Sequence, residues 1–79
     1  MRKIIGEVVQ YSQEPTTGVW TIVVEDGTGE RVSFGPDVNE AHALIFGNAY
    51  ASGNDVDCDY NPAIPPEGNS VVNVQVVPA

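Results

Sequence analysis

The sequence predicts a small all-β domain of five strands, with one short helix between the third and fourth strands. Three observations carry that prediction. β-Branched runs recur between Gly, Pro and Asp turn signals, two segments alternate apolar and polar residues with the period of a strand, and only one stretch pairs a capping signal with helical spacing. The chain has 79 residues, so positions 1–79 are expected to form a single domain. A domain of that size buries only about 60% of the surface its unfolded chain exposes, so the core must be compact.

The elements follow in order. Ile4, Ile5, Val8 and Val9 mark a first strand over Lys3 to Tyr11, closed by a loop that Pro15 and Gly18 punctuate. Val19 to Glu25 alternates, with Trp20, Ile22 and Val24 on one face and Val19, Thr21, Val23 and Glu25 on the other. Asp26-Gly27-Thr28-Gly29 is a hairpin signal, because Asp and Gly tolerate the backbone of tight turns. The third strand is Glu30 to Phe34, stopped by Gly35-Pro36. Asp37 with Glu40 three residues on resembles a capping box for a short helix through Ala41, Leu44, Ile45 and Phe46, ending near Gly47. Asn48 to Asn54 reads as a loop with Tyr50 as its large residue. The fourth strand has the cleanest alternation: Val56, Cys58 and Tyr60 on one face, Asp55, Asp57 and Asp59 on the other. Pro62, Pro65 and Pro66 lack donors and place a loop before a last strand from Ser70 to Val77. The expected inward set is Trp20, Ile22, Val24, Val56, Cys58, Val72 and Val74, with Val76 continuing the last strand's inward phase.

Composition bounds the function. Hydrophobic residues make up 42% and charged residues 18% of the chain, which suits a globular domain and not a disordered acidic tail. Three basic residues face eleven acidic ones, for a formal net charge of -8. Such a surface repels phosphate, so non-specific nucleic-acid binding is unfavourable. Arg2, Lys3 and Arg31 are the three cations, so nothing basic follows position 31. The single cysteine, Cys58, can close no internal disulfide, and the start of the chain has only Ile4 and Ile5 before Gly6 and Glu7, too little for a signal-peptide core. A cytoplasmic protein without a membrane partner is expected.

A helix between strands three and four of a five-stranded chain is the signature of the OB fold, a partly open Greek-key barrel. An SH3-like barrel would leave the helix unexplained. At the level of residues the chain resembles a cold-shock domain from about Gly6 to Val77. Gly6-Glu7-Val8-Val9-Gln10-Tyr11 looks like that family's opening, Thr17-Gly18-Val19-Trp20-Thr21-Ile22 its second strand, and Asp26-Gly27 the turn that follows. Phe46-Gly47 is similar to the segment before its fourth strand, and Val72-Asn73-Val74 to its last strand. The resemblance implies an OB-like barrel and, in the family, bases stacked on outward aromatic and histidine side chains beside a basic residue. Here the matching second-strand positions are Val19 and Thr21, the basic position is Thr17, and the third strand has Val32, Ser33 and Phe34. Stacking is worth about 1–3 kcal/mol per base, so losing several platforms removes useful affinity.

No catalytic constellation is present in the sequence, and a non-enzyme is expected. His42 reads as a helix-surface residue and Cys58 as a buried structural thiol, so nucleophile and base are not paired. Asp55-Val56-Asp57-Cys58-Asp59 opens like a calcium loop but has Tyr60 where the sharp turn needs Gly and Pro66 at the twelfth place; no metal or other cofactor is expected. The leading expectation is a non-catalytic protein-interaction module that engages a basic partner surface through Asp55, Asp57, Asp59 and Glu67. A nucleic-acid-mimicking inhibitor or regulator of a nucleic-acid-binding enzyme, as phages encode, fits that description. The bland reading is a solubilising edge strand. The alternative is a divergent single-stranded nucleic-acid binder whose face holds Tyr11, Val19, Thr21 and Phe34, with Trp20 required to face solvent.

Overall fold

The computed structural model describes residues 1–62 and 68–78. Five strands and one helix follow one another as β1 (Arg2–Gln13), β2 (Trp20–Asp26), β3 (Arg31–Phe34), α1 (Glu40–Ser52), β4 (Asp55–Asn61) and β5 (Ser70–Val77). The strands form one sheet in the order β3-β2-β1-β4-β5, and every neighbouring pair is antiparallel. β1 is the shared strand. Its first half, Arg2 to Glu7, pairs with β4, and Gly6 to Gln13 pairs with β2. Among the described residues no continuous ladder closes the sheet; β3 and the start of β5 touch through one parallel bridge, Phe34 to Asn69. None of the described helices is long and apolar enough to cross a membrane.

Two β-bulges decide which side chains face inward. In β1, Val8 pairs with Val24 and Gln10 with Val23, so Val9 is an extra residue. An extra residue shifts the two-residue period by one. The inward phase of Ile4, Gly6 and Val8 therefore passes to Tyr11, opposite Ile22. In β5, Asn73 pairs with Asp59 but Val71 pairs with Tyr60, which leaves Val72 unpaired. Val72, expected inward, is 45% exposed, and Val71 takes its place against the core. A strict alternation carried past the bulge puts the wrong valine inside.

Ile22, Val24, Val56, Cys58 and Val74 are buried together as expected, but Trp20 is half-buried at the first position of β2. Phe34 sits at the centre of the core. Its ring stacks on Phe46 at 5.4 Å and meets Tyr60 edge-on at 5.5 Å. Aromatic pairs at such separations add about 0.5–1.5 kcal/mol beyond their buried area.

The helix differs from expectation at both ends. Asn39, not Asp37, is the N-cap, its side-chain oxygen accepting from the Ala41 N–H at 2.8 Å. Val38 packs on the core just before the cap, which sets the entry of the chain two residues later than a capping box on Asp37 requires. Gly47 does not end the helix. A methyl group there would lie 2.8 Å from the Tyr11 hydroxyl oxygen, so Gly47 lets α1 settle against the Tyr11 ring. Ala43, Phe46 and Ala49, three residues apart, form the buried stripe, and the segment from Asn48 to Ser52, expected as loop, is helix. The helix stops at Gly53, whose left-handed backbone (φ 74°) suits glycine and whose N–H donates to the Ala49 carbonyl.

Candidate functional site

The outward face of the sheet gathers the carboxylates. Glu7 lies between inward Gly6 and Val8, so its side chain points out, and its register partners are Glu25 on β2 and Asp55 on β4. Three carboxylates thus stand side by side on three adjacent strands. Directly opposite residues in an antiparallel pair have Cβ atoms about 4.5–5.5 Å apart, and like charges there are destabilising. Glu7, Glu25, Asp26 and Asp55 line a depression together with Ile5, Gly6 and Gly27.

Two of the three cations, Lys3 and Arg31, make ion pairs on this face. Lys3 Nζ lies 3.4 Å from Asp57 and 3.8 Å from Asp59, and Arg31 Nε lies 3.5 Å from Glu25 across the β2–β3 ladder. Glu7 and Asp55 have no cationic partner among the described residues. The structure places Asp55, Asp57 and Asp59 together on one face of β4, as their spacing demands, but their surroundings differ. Asp57 and Asp59 are tied to Lys3, while Asp55 joins Glu7 and Glu25. Glu67, the fourth expected member of the ridge, lies outside the described residues.

Asp26 is fixed by the turn it starts. Its Oδ1 accepts from the Thr28 hydroxyl at 2.6 Å, the Thr28 N–H at 2.9 Å and the Glu30 N–H at 3.0 Å. The Thr28 side-chain bond first, and the backbone bonds after it, hold the Asp26 carboxyl below its ordinary range, so a negative charge is kept at the depression. Beneath the same face, Cys58 is buried, and burial, reinforced by Asp59 and Asp57, pushes its thiol up to about 12. A thiol held protonated is a poor nucleophile, which suits a packing role.

The residues expected for a stacking face fall into different environments. Phe34 is 1% exposed and belongs to the core, so it offers no ring to a base. Its strand has the inward phase at Val32 and Phe34, and Ser33 is the residue that faces out. Tyr11 is half-buried, with the Trp20 ring at 5.4 Å and the Tyr50 ring at 6.0 Å. Val19 and Thr21 are exposed and carry no ring. His42 is half-buried on α1.

Comparison with known protein families, with curated proteins and with solved structures gave no match.

Glu7, Glu25 and Asp26 were not singled out in the sequence reading because their grouping depends on register across β1, β2 and β4. A usable signal did exist. Gly6-Glu7-Val8 puts a carboxylate on the polar phase of an otherwise apolar strand, and Glu25-Asp26 ends its neighbour.

Proposed function

We propose that the chain is a non-catalytic protein-interaction module that presents the outward sheet face to a basic partner surface. The observation that supports this reading is the in-register row Glu25, Glu7, Asp55, in which two members lack a cation of their own among the described residues. Such a row is a standing electrostatic cost, and arginines or lysines of a partner would relieve it. A partner surface that normally takes nucleic-acid phosphates has the matching chemistry, which makes a nucleic-acid mimic acting on a nucleic-acid-binding enzyme the sharper form of the proposal.

The same proposal takes the fold as an OB-like barrel related to cold-shock domains. Its support is the order of the strands, the parallel Phe34 to Asn69 bridge and the Asn69 side-chain amide donating to the Ser33 carbonyl at 2.9 Å. Gly68 also lies so close to Gly35 that a methyl group there would overlap the Gly35 carbonyl. These contacts draw β3 toward β5, the seam at which such a barrel closes.

Affinity capture at low and high salt tests the proposal, with wild-type chain and the Glu7→Gln/Asp55→Asn variant as baits. The expected result is a protein retained by wild type at low salt, released by high salt and lost with the variant. Retention of the same proteins by both baits would oppose it. Titration with mixed single-stranded oligonucleotides examines the alternative: no binding is expected at physiological salt, and shifts centred on Tyr11, Trp20 and Tyr50 would favour nucleic-acid binding instead.

A further inference from the structure

β3 and the start of β5 meet without a ladder between them. Among the described residues the junction is carried by the parallel Phe34 to Asn69 bridge, the close approach of Gly68 to Gly35, and the Asn69 Nδ2 donating to the Ser33 carbonyl at 2.9 Å. This last bond joins residues 36 apart, whereas the other side-chain hydrogen bonds among the described residues join residues no more than 5 apart. One amide group is thus the side-chain latch between distant parts of the chain.

That amide is also chemically labile. Asparagine is a thermolabile residue, and the next residue's backbone nitrogen reaches its side chain most easily when that residue is small, as Ser70 is here. The Ser70 nitrogen attacks the Asn69 Cγ, a C–N bond forms, the Cγ–Nδ2 bond breaks and ammonia leaves. Water then opens the cyclic imide at either carbonyl, giving an aspartate or an isoaspartate at position 69. The balance is water taken up and ammonia released. The other asparagines are less open to this step. Asn61 precedes Pro62, whose nitrogen carries no proton, and Asn48 lies inside α1. The Asn39 side chain caps the helix, Asn73 precedes the β-branched Val74 within β5, and Asn54 precedes Asp55, where β4 begins. Ser70, by contrast, is the end rung of the β4–β5 ladder, where fraying starts.

We propose that Asn69 is a deamidation site whose modification releases the β3–β5 junction irreversibly. The atom that leaves in the reaction, Nδ2, is the atom that holds Ser33. Afterwards a carboxylate is turned toward the Ser33 carbonyl, so a donor is lost and two negative oxygens face each other. The change falls beside Phe34, whose ring is at the centre of the core, and adds a negative charge to a chain of formal charge -8. The latch also guards itself. While Nδ2 is held on Ser33 the side chain is kept from turning onto the Ser70 nitrogen, so the reaction proceeds from the locally opened junction. Opening permits the modification, and the modification prevents closing.

Peptide mapping by mass spectrometry on the full chain, aged in warm, mildly alkaline buffer, tests this. In the folded wild type Asn69 is expected to show the mass gain of an amide-to-acid exchange before any other asparagine. Gly68→Ala supplies a second arm, because its methyl group would overlap the Gly35 carbonyl and force the junction apart. With rates divided by those of the same chains unfolded in urea, Asn69 should react several-fold faster in this variant than in wild type. The third arm is Asn69→Asp, which reproduces the aspartate product. Amide hydrogen exchange should quicken several-fold at Ser33, Phe34 and Asn69 in that variant, while the β1–β4 ladder keeps its wild-type protection. Circular dichroism establishes that both variants are folded. Faster reaction at another asparagine of the folded wild type, a Gly68→Ala rate equal to wild type, or unchanged exchange at the junction in Asn69→Asp would each overturn the inference. None of these readouts involves the acidic face, so this proposal and the protein-interaction reading fail separately.

Discussion

The outward face of β2, β1 and β4 and the side built by α1 and β5 are two surfaces on one small core, made in opposite ways. The first is crowded with carboxylates in register, Glu25 beside Glu7 beside Asp55, and tolerates their repulsion. The second has no Asp, Glu, Lys or Arg after Glu40 in the helix and none in β5. Net charge alone cannot distinguish them. A formal charge of -8 describes the whole chain, whereas the physics of association depends on where strand register and helix packing put the charges.

The largest effect expected from separating these surfaces comes from the core that joins them. Phe46 is fully buried and stacked on Phe34, so Phe46→Ala should cost about 3–5 kcal/mol, a large share of the stability of a domain this size. Chemical denaturation measures that loss. A cost below about 1 kcal/mol would mean that α1 is held by something other than its Phe46 side.

Alkaline pH offers the next test, because Cys58 lies in the core directly under the acidic face. Its thiol keeps its proton until about 12 in the folded chain, against an ordinary 9.0. The proton favours the folded state, so this stability is fully present below about pH 9 and is lost as pH rises toward 12, at up to about 1.4 kcal/mol per pH unit. Comparing wild type with Cys58→Val over that window isolates the contribution, and identical slopes for the two would remove it. Asp57→Asn/Asp59→Asn should lower the thiol's pKa and move the onset of ionisation to lower pH in the folded chain.

A smaller loss is expected from Gly47→Ala. Helix propensity favours alanine by about 1 kcal/mol, but the added methyl meets the Tyr11 ring, which already packs against the Trp20 and Tyr50 rings. Overpacking typically costs about 1–3 kcal/mol, so a net destabilisation of about 1 kcal/mol should appear in thermal melts. A stabilised variant would show that the Tyr11 ring gives way freely.

The smallest effect has the opposite sign. Glu7→Gln removes the central charge of the row and should raise stability by a few tenths of a kcal/mol, measured at low salt and fading as salt is added. Loss of stability would mean that Glu7 is compensated within the chain.

Much of this architecture was legible in the sequence because burial and alternation coincide in short strands. Val56, Cys58 and Tyr60 against Asp55, Asp57 and Asp59 could be assigned to two faces from spacing alone, and both ends of β5 fell where they were read. The errors have local physical causes. Val72 was misplaced by a bulge, which no two-residue period announces. Gly47 was read as a stop because glycine commonly ends helices, whereas here it makes room for a tyrosine arriving from β1. Phe34 belongs to the core and not to the alternative nucleic-acid face, because one residue of slip in strand register exchanges the core for solvent. The acidic row was the least legible feature, since Glu7, Glu25 and Asp55 become neighbours only when three strands are paired.

The most direct measurement of the central claim is a nuclear magnetic resonance titration of the labelled chain with a hexa-arginine peptide, comparing Glu7→Gln/Asp55→Asn with Asp37→Asn/Glu40→Gln. Both variants remove two negative charges, so a response to net charge alone would be equal. The account predicts shifts centred on Ile5, Glu7, Glu25 and Asp55 in the wild type, and a loss of affinity several-fold greater in the first variant than in the second. Equal losses in the two variants, with shifts spread over the molecule, would contradict it.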